Sequence, residues 1–510
     1  MTFWEALAAG FALVAQWESL FFLSLGIGIG VIAGAIPGMS ATMAVALTLP
    51  FTFALQPVFG ILLLLGVYKG GIFGGSIPAI LIKTPGTPAS SATALDGYPL
   101  AEQGKAGKAL SMALYASCIA DFVSNIALIV FAAWLAAFAL NFGPPEMFTL
   151  IVFSLTIIAG VSGDSLLKGI VAATLGLLLA TIGLDFVVGT ERLTFGSIEL
   201  RGGLNFIAVL IGLFALPEII AYMRNPRERD GSVRGLGHSG LTMAEFRGSL
   251  KSIFRGSAIG VFMGAIPGIG AAPSAFLSYS EARRASPNRD NFGKGELEGV
   301  AAAEAGNNGV AGATLIPLLS LGIPGDVITA IIIGAFMIHN LTPGPLLFQN
   351  NADIVYALFI GLIASSVLLL VIGSVAIRAF RYIADVPSNL LFPAVLVLCI
   401  FGVFAINNSV FDVAVMLVMG VVGYVMLLFR FPAAPFLIAF ILGPLLENNF
   451  RQALLMSRGS LDIFIRGPIT IIFWCLTVIS VVFIVRSTLA AARIQRQARR
   501  RPKTQPGSQG

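Results

Sequence analysis

The chain reads Gly34-Ala-Ile-Pro-Gly38 near its start and Gly264-Ala-Ile-Pro-Gly268 230 positions later. A proline inside a helix removes a backbone hydrogen bond and clashes with the preceding turn, and glycine permits the irregular geometry that follows. Each copy of the motif therefore predicts a helix that is interrupted.

A second Pro-Gly break follows each copy. Pro85-Gly86 lies seven residues after Pro78, and Pro324-Gly325 lies seven residues after Pro317, at an offset of 239 positions. The charged segment from Glu281 to Glu298 has no counterpart in the first half and absorbs the nine-residue difference between the two offsets. Two breaks in the same order indicate two homologous halves.

The sequence around these breaks is typical of a membrane protein. Of 510 residues, 57% are hydrophobic and 11% are charged, whereas about 25% of the residues in a soluble domain are charged. Residues 19–68 carry no charge, and further charge-free runs cover 122–145, 256–280, 305–325, 354–377, 386–411 and 467–485. Since a helix needs about 20 apolar residues to cross the hydrocarbon core, the sequence predicts an all-α polytopic membrane protein with about 12 transmembrane segments.

Positive charge is concentrated in two segments. Seven Lys or Arg lie between Arg224 and Arg255, and six more follow Arg486. Positive flanks mark the cytoplasmic side, so both segments are predicted to be cytoplasmic in a bacterial inner membrane. The predicted organisation is then a first membrane repeat (1–223), a basic linker (224–255), a second membrane repeat (256–486) and a basic tail (487–510).

The flanks of the two halves differ in sign. Residues 1–19 hold Glu5 and Glu18 but no Lys or Arg, whereas the basic linker precedes the second half. Opposite flanks favour inverted repeats, although Lys105 and Lys108 complicate the first half. No basic segment is interleaved with aromatic residues, so nucleic-acid binding is not indicated.

The remaining compositional signals are weak. Cys118, Cys399 and Cys475 have no paired spacing, so we expect core packing and neither a disulfide nor a metal site. The first residues lack the basic start and cleavage site of a secretory signal, so we expect the N-terminal segment to be retained.

Four helix breaks in paired positions favour a central cavity. In hydrocarbon, irregular backbone survives only where it is buried in protein or lines a wet cavity. Helix N-termini at such breaks present free N-H groups and partial positive charge, which suit a carboxylate substrate. The alternative is that the prolines supply static kinks and the small residues allow close helix packing. The break residues assigned to substrate binding are Pro37, Gly38, Pro85, Gly86, Pro267, Gly268, Pro324 and Gly325. Hydroxyl residues beside the breaks are assigned to it as well: Ser40, Thr42, Thr84, Thr87, Ser90 and Ser274.

Ionisable groups in apolar surroundings are a second set of candidates, because a charge at a helix centre costs roughly 2.5–3.5 kcal/mol on insertion scales. The repeat alignment places Tyr68-Lys69 opposite Asn307-Asn308. Lys69 could neutralise an anionic substrate, and Asn307 and Asn308 could hydrogen-bond it. For the charged groups, snorkelling or pairing with another buried charge is the alternative. The candidates for coupling to a proton or sodium ion are Asp326, Glu304 and Asp121.

Long segments of the chain resemble a known family. The stretch YKGGIFGGSIPAILIKTPGTPASSATALDGYPLAEQGKAGKAL (68–110) is similar to the signature of the TctA family, the large membrane subunit of tripartite tricarboxylate transporters. GAIPGIGAAPSAFLSYSEARR (from Gly264) and EGVAAAEAGNNGVAGATLIPLLSLGIPG (from Glu298) are similar to its other hallmark segments, and the resemblance covers Leu20 to about Phe450. Ala303 and Gly309 depart from the family pattern, which weakens the transfer of fine substrate contacts.

The resemblance implies a secondary transporter driven by an ion gradient, without an ATPase. Its expected partners are a small TctB-type membrane subunit and a periplasmic TctC-type binding protein that delivers a carboxylate substrate, and its expected coupling ion is sodium or a proton. No other cofactor is implied. The Pro-Gly segments at 37–42, 84–91, 267–274 and 323–326 are expected to form the substrate path.

Two other functions, an intramembrane protease and a channel, share single features with this sequence. Gly160-Val-Ser-Gly163 matches a short nucleophile motif of intramembrane serine proteases, with His339 or His238 as base, but such a motif is frequent by chance among 57 glycines. No H-E-x-x-H metal motif is present. A channel could also use broken helices, but it would not require paired halves.

Overall fold

The computed structural model describes residues 3–36, 39–161, 165–185, 188–224, 240–384 and 388–500, with the backbone alone at 222, 380–384, 388–391 and 487–500. The predicted site residues Pro37 and Gly38 lie outside this range, as do most of the basic linker (225–239) and the end of the tail (501–510).

The first half is helical apart from one short hairpin. Its helices are α1 (Phe3–Val14), α2 (Trp17–Ala35), α3 (Ala41–Thr48), α4 (Pro57–Gly74), α5 (Ser76–Ile82), α6 (Ser90–Glu102), α7 (Ala106–Ala139), α8 (Pro144–Val161), α9 (Leu166–Ala180) and α10 (Phe206–Arg224). Antiparallel strands β1 (Gly183–Leu184) and β2 (Glu191–Arg192) connect α9 to α10, and 3-10 helices cover Leu49–Ala54 and Glu199–Gly202.

The second half repeats much of this order. Its helices are α11 (Met243–Ala265), α12 (Ala271–Ala285), α13 (Leu297–Ala313), α14 (Leu315–Leu321), α15 (Val327–Ile338), α16 (Pro345–Asn350), α17 (Ala352–Ala384), α18 (Ser388–Asn407), α19 (Val410–Leu428), α20 (Ala433–Met456), α21 (Ile463–Arg466) and α22 (Pro468–Arg500). A 3-10 turn at Arg289–Asn291 lies in the charged segment between α12 and α13.

The repeated sequence motifs adopt the same backbone geometry in both halves. Helix α5 ends at Lys83 in the left-handed conformation (φ 56°), and α14 ends at Gly322 in the same conformation (φ 71°). After each end a backbone N-H returns to a proline carbonyl: Thr84 donates to Pro78 and Ile323 donates to Pro317, both at 3.2 Å. The second predicted break of each half is therefore present, and the two divide helices at matching points.

Small residues allow the helices that lead to the first break to pack closely. Gly26, Gly30 and Gly34, each four residues apart, bring α2 against the backbone of α4. Gly256, Gly260 and Gly264 do the same for α11 against α13. A Cβ at Gly30 would lie 2.3 Å from the Val67 carbonyl oxygen, so any larger residue there would separate the two helices.

The number of membrane segments differs from the sequence-based count. Within the described residues, eight helices are long and apolar enough to cross a membrane, and six shorter apolar helices accompany them. The prediction of about twelve spans is not confirmed, because the breaks divide several apolar runs into short helices such as α3 and α15. The predicted class, an all-α multi-pass membrane protein, agrees with this architecture. Cys118 and Cys399 are buried, but Cys475 is exposed on α22 and so is not core packing.

An ion pair joins the two halves near the basic linker. Lys108, at the start of α7, donates to Glu245 in the first turn of α11 at 2.5 Å. Glu245 also closes a capping box with Thr242. The hydrogen bond from Lys108 is the main reason that the pKa of the Glu245 carboxyl is about 2, well below its usual range. The start of α7 and the start of α11 therefore lie on the same side of the molecule.

Candidate functional site

The breaks of both halves meet at one cavity of about 270 Å³. Six of the predicted site residues line it: Ser40, Thr42, Thr87, Gly268, Asn307 and Asp326. Tyr68, the 269–273 segment and two residues of α20, Ala434 and Ile438, complete much of the wall. The cavity predicted from the paired breaks is therefore found between the halves.

Four helices have their N-termini at this cavity, and side chains cap three of them. The Ser40 hydroxyl accepts from the backbone N-H of Met43 at the start of α3. Before α6, Thr87 accepts from the Ser90 N-H, and Ser90 accepts from the Thr87 N-H. The same reciprocal pair recurs before α15, where Asp326 and Thr329 exchange bonds of 2.8 Å.

The fourth N-terminus, that of α12, has no side-chain cap. Its N-cap residue is Gly270 (φ 72°), which has no side-chain oxygen that could accept from the first turn. The free N-H groups of a 15-residue helix present partial positive charge at the wall of the cavity. A carboxylate can accept hydrogen bonds there without a cationic side chain.

Asn307 is the second group at the cavity with unused hydrogen-bonding capacity. Its side chain is 1% exposed and lines the cavity, and neither its Oδ1 nor its Nδ2 has a partner in the described part of the chain. Buried amides are normally hydrogen-bonded, because leaving one unpaired costs about 1–3 kcal/mol. An orphan amide at a cavity therefore indicates a ligand that would satisfy it.

Asp326 is the only charged side chain among the described residues that line the cavity. Its Oδ1 caps α15, and its Oδ2 accepts from the Tyr68 hydroxyl at 2.9 Å. The Thr314 hydroxyl lies 3.3 Å from the same tyrosine oxygen. The Asp326 carboxylate thus accepts from three donors, namely the N-H and the hydroxyl of Thr329 and the hydroxyl of Tyr68. It lies beside the space that a substrate would occupy, where its negative charge suits a bound cation.

Lys69 does not line the cavity. Its ammonium donates to Asp121 at 2.6 Å and to Asn125 at 2.8 Å, and both charged side chains are 1% exposed. Asp121 also accepts from Ser366 of α17 at 2.6 Å. The contacts match the alternative stated for the sequence, pairing with another buried charge, and they join α4, α7 and α17.

Glu304 lies one helical turn from Asn307 in a separate polar cluster. Its carboxylate accepts from the hydroxyls of Ser76 (2.5 Å), Thr93 and Ser117 (2.9 Å) and is completely buried. The Asn308 amide donates to Ser117 at 2.8 Å and lies 3.3 Å from Glu304. Helices α5, α6 and α7 of the first half therefore contact α13 through one carboxylate.

The other predicted residues support the breaks without lining the cavity. The Ser274 hydroxyl donates to the Gly306 carbonyl at 2.7 Å. Gly86 approaches the backbone of Gly34 so closely that a Cβ would lie 2.2 Å from its oxygen. The Gly325 carbonyl accepts at 2.7 Å from the N-H of Gly268, which does line the cavity, and this bond connects the two breaks of the second half. The remainder are Thr84, which bonds to a nearby carbonyl, Pro85 at a separate surface pocket, Pro267 in a half-buried turn, and the buried Pro324.

One acidic residue beside the cavity, Glu218, is not among the site residues predicted from the sequence. Glu218 of α10 accepts from the Ser40 hydroxyl at 2.9 Å. It is the only charged residue between Arg201 and Arg224, so the signal that selected Asp326 and Glu304, an acid in an apolar run, was available for it as well. Gly270 was also missed, because glycine carries no side-chain signal.

The alternative protease site is largely outside the described residues. Ser162 and Gly163 are not described, and neither is His238. His339 lies at the end of α15, where its Nε2 is 2.8 Å from the position of a Cβ on Gly60.

A cavity between two sets of broken apolar helices is typical of multi-pass membrane transporters. The chain belongs to the family described as "Tripartite tricarboxylate transporter TctA family", whose profile matches residues 20–438. The proteins of this family are the large subunits of tripartite transporters.

Two relatives come from Agrobacterium vitis. The chain is 36% identical over 467 residues to an uncharacterized 52.8 kDa protein in the TAR-I ttuC' 3' region. This alignment covers 91% of this chain and 92% of the relative. It is 37% identical over 234 residues to an uncharacterized protein in the TAR-II ttuC' 3' region, covering 45% of this chain and 95% of that relative. No solved structure matches the chain.

Proposed function

We propose that the chain moves small carboxylate anions, of the tricarboxylate or dicarboxylate type, through the cavity between its halves, driven by a sodium or proton gradient. The observation that carries the proposal is the pairing of the uncapped N-terminus of α12 with the orphan amide of Asn307. Both are groups that hydrogen-bond a carboxylate, and both face one cavity.

In this proposal a substrate carboxylate accepts from the first turn of α12 and from the Asn307 amide. The hydroxyls of Thr42 and Thr87, on the facing wall, orient the rest of the molecule. Because the described lining holds no Lys or Arg, recognition depends on backbone and amide dipoles. Lys69, which is bonded to Asp121, then has a structural role.

The coupling cation compensates the charge of the substrate. Asp326 is the first candidate ligand, because it lines the cavity and is the only acid there among the described residues. Glu304 is the second, since it has four oxygen or amide neighbours and no basic partner in the described salt bridges. Asp121 is the weakest candidate, because Lys69 already neutralises it.

Inverted repeats are part of the proposal, and contacts at the two ends of the cavity helices support them. Helix α6 ends near the loop after α12, where Gln103 donates to the Lys294 carbonyl at 2.8 Å. In contrast, α15 ends at His339, beside Gly60 near the start of α4. Tyr68 of α4 lies 3.3 Å from Thr314 at the end of α13, whereas Ser76, just after α4, donates to Glu304 earlier in α13, so the matching helices α4 and α13 run in opposite directions. The ends of α6 and α15, which lie beside the starts of α13 and α4, are then at opposite ends of the cavity, and this supports an axis in the membrane plane.

Orientation and partners follow from the same plan. Lys108 lies on the side of the basic linker, so positive charges of both halves share one face, which we assign to the cytoplasm of a bacterial inner membrane. A small TctB-type membrane subunit and a periplasmic TctC-type binding protein are the proposed partners, and the binding protein delivers substrate to the opposite face.

Uptake of labelled citrate and labelled dicarboxylates into vesicles tests the proposal. The chain, its small membrane subunit and its binding protein are reconstituted together, with and without a sodium or pH gradient. We expect uptake that needs the binding protein and one gradient, and that falls tenfold or more, about 1.5–3 kcal/mol of lost charged hydrogen bonding, in Asn307→Ala.

The matched control is Asn141→Ala, because Asn141 is exposed and bonds only to the nearby Phe138 carbonyl. Its uptake should equal that of the unmodified chain. Flux that needs neither gradient nor binding protein would instead identify a channel, and counterflow exchange of labelled substrate would separate the two.

A further inference from the structure

Glu218 is a carboxylate near the cavity that the proposed substrate site does not use. It lies in α10 directly after Pro217, within a run that is otherwise free of charge from residue 202 to residue 223. A carboxylate within an apolar helix is costly unless a donor, a proton or a cation satisfies it.

The hydrogen bonds of Glu218 are incomplete. Its Oε1 accepts from the Ser40 hydroxyl at 2.9 Å. Its Oε2 is buried and has no hydrogen-bond partner within the described part of the chain. None of the salt bridges among the described residues includes Glu218. An ionised Glu218 would therefore leave one oxygen unsatisfied in an apolar region.

Charged neighbours do not supply the missing partner. Helix α10 packs against α3, α15, α18, α19 and α20, and α3 carries no titratable side chain. Tyr424 of α19 bonds to Arg224, and Asp412 bonds to Asn205 and Asn407 near the other end of α10. The remaining titratable groups on these elements or at their ends are Asp326, His339, Cys399, Glu447 and Arg451. Glu447 and Arg451 bond to each other and to groups around the hairpin of β1 and β2.

Ser40 connects Glu218 to the cavity. Its hydroxyl lines the cavity, donates to Glu218 and accepts from the Met43 N-H at the start of α3. A proton or a cation on Glu218 competes with the hydroxyl proton for the carboxylate. A proton or a cation on Oε2 would weaken the bond that Oε1 accepts from Ser40 and so make the hydroxyl more available to the substrate space.

The position of Glu218 along α10 also suits a cation. It precedes Arg224, at the exposed end of the helix next to the basic linker, by six residues, or about 9 Å of helix axis. Glu218 thus lies between the cavity and the linker side, where a coupled cation would leave.

We propose that Glu218 binds the coupling cation, a proton or a sodium ion, on the linker side of the cavity, and that Ser40 transmits its occupancy to the substrate site. The inference rests on the proposed ion-coupled transport. It adds a cation site that lies on the other side of Ser40 from Asp326 and in a different helix.

Cation binding to the purified full-length chain tests this without any transport. Radiolabelled sodium is titrated into the protein, and infrared difference spectra between two pH values measure protonated carboxylic acids. If sodium is the ion, Glu218→Gln should lose one bound sodium per chain. If the proton is the ion, it should lose the C=O band of one protonated acid, and sodium should leave that band unchanged.

Two further variants separate this role from a structural one. Ser40→Ala should keep the site but change its affinity about three- to tenfold, the effect of one neutral hydrogen bond. Glu199→Gln, which alters an exposed carboxylate bonded to Ser197, should change neither measurement. If Glu218→Gln does not fold, Glu218→Asp keeps the charge but shortens the reach to Ser40, and its sodium affinity or protonation should change by more than that of Ser40→Ala.

The proposal is overturned if folded Glu218→Gln retains both the sodium stoichiometry and the protonated-acid band of the unmodified chain. If only Glu218→Asp folds, the proposal is overturned when its sodium affinity and its protonation equal those of the unmodified chain. Failure of the substrate proposal would look different: Asn307→Ala would transport normally while the cation site at Glu218 remained. Normal cation binding in every Glu218 variant together with impaired Asn307→Ala uptake would leave the carrier standing and remove only this site.

Discussion

The two walls of the cavity share a backbone but differ in their side chains. In the repeat alignment Thr87 is equivalent to Asp326, Tyr68 to Asn307 and Ser40 to Gly270, and all six residues line the cavity. Helix ends, proline carbonyl contacts and reciprocal caps recur in both halves. The first wall offers neutral hydroxyls, whereas the second offers an acid, an orphan amide and an uncapped helix.

The comparison indicates that the backbone shared by the two halves frames the cavity, whereas the side chains that differ between them provide its chemistry. Broken helices in both halves are needed to form a cavity between them, and a rigid frame is well served by symmetry. An anion and its coupling cation are bound by different groups. If the two walls carried identical side chains, neither wall could be specialised for one of the two ions. The same asymmetry extends to the next residue, since Lys69 forms an ion pair but its equivalent Asn308 contacts Glu304.

The largest effect should follow from breaking the ion pair of the first half. Lys69→Met leaves the Asp121 carboxylate buried without a cation, which costs about 3–5 kcal/mol of folding stability. Asn308→Ala in the second half removes neutral hydrogen bonds and should cost only about 1–3 kcal/mol. Thermal unfolding of the detergent-solubilised chain, at one scan rate for all variants, measures both.

The double variant Lys69→Met, Asp121→Asn is the control for this comparison. It removes both charges, so it should recover much of the stability lost in Lys69→Met. If it is as unstable as the single variant, packing of the lysine stem explains the loss and the ion pair does not.

A smaller effect, on transport, should separate Asp326 from its equivalent Thr87. Asp326→Asn removes the only acid among the described cavity residues and should lower gradient-driven uptake about tenfold to a hundredfold, since bonds to charged groups contribute about 1.5–3 kcal/mol. Thr87→Val removes a neutral hydroxyl and should lower uptake by less than about tenfold. Uptake in reconstituted vesicles, normalised to folded protein, compares them. Equal losses would mean that the two walls contribute equally, against the division of roles proposed for them.

Tyr68→Phe should have a weaker effect still, because it removes one of the three donors to the Asp326 carboxylate and leaves the charge in place. We expect uptake to fall by about two- to tenfold, because the two donors of Thr329 remain. The dependence on sodium or proton concentration should shift in the same variant, as it would for a residue that acts through Asp326. A loss of uptake with an unchanged ion dependence would assign Tyr68 to the substrate alone.

The sequence predicted the frame of this site better than its contacts. Pro-Gly pairs at matching offsets cannot lie within regular helices, so the breaks at Pro85 and Pro324 could be placed from the sequence. The contacts of Lys69 could not be, because Asp121 is 52 positions away and many other partners were possible. Glu218 is 178 positions from Ser40, and only the packing of α10 on α3 reveals that they meet.

The smallest effect should come from the turn that both halves share. Lys83 and Gly322 occupy equivalent left-handed positions (φ 56° and 71°), so the first half tolerates there a side chain that the second lacks. Gly322→Ala should cost about 1–2 kcal/mol from the left-handed conformation alone, and its Cβ would lie 2.8 Å from the Pro343 oxygen. Lys83→Gly should be nearly neutral, because relief of the same strain is offset by the added freedom of the unfolded chain and by loss of the Lys83 contact with the Tyr98 ring. Melting temperatures of the two variants, measured side by side, compare the turns. A large loss in Lys83→Gly would mean that the lysine has a function in the first half that its glycine counterpart cannot have, and the asymmetry of the walls would then extend to the turns that support them.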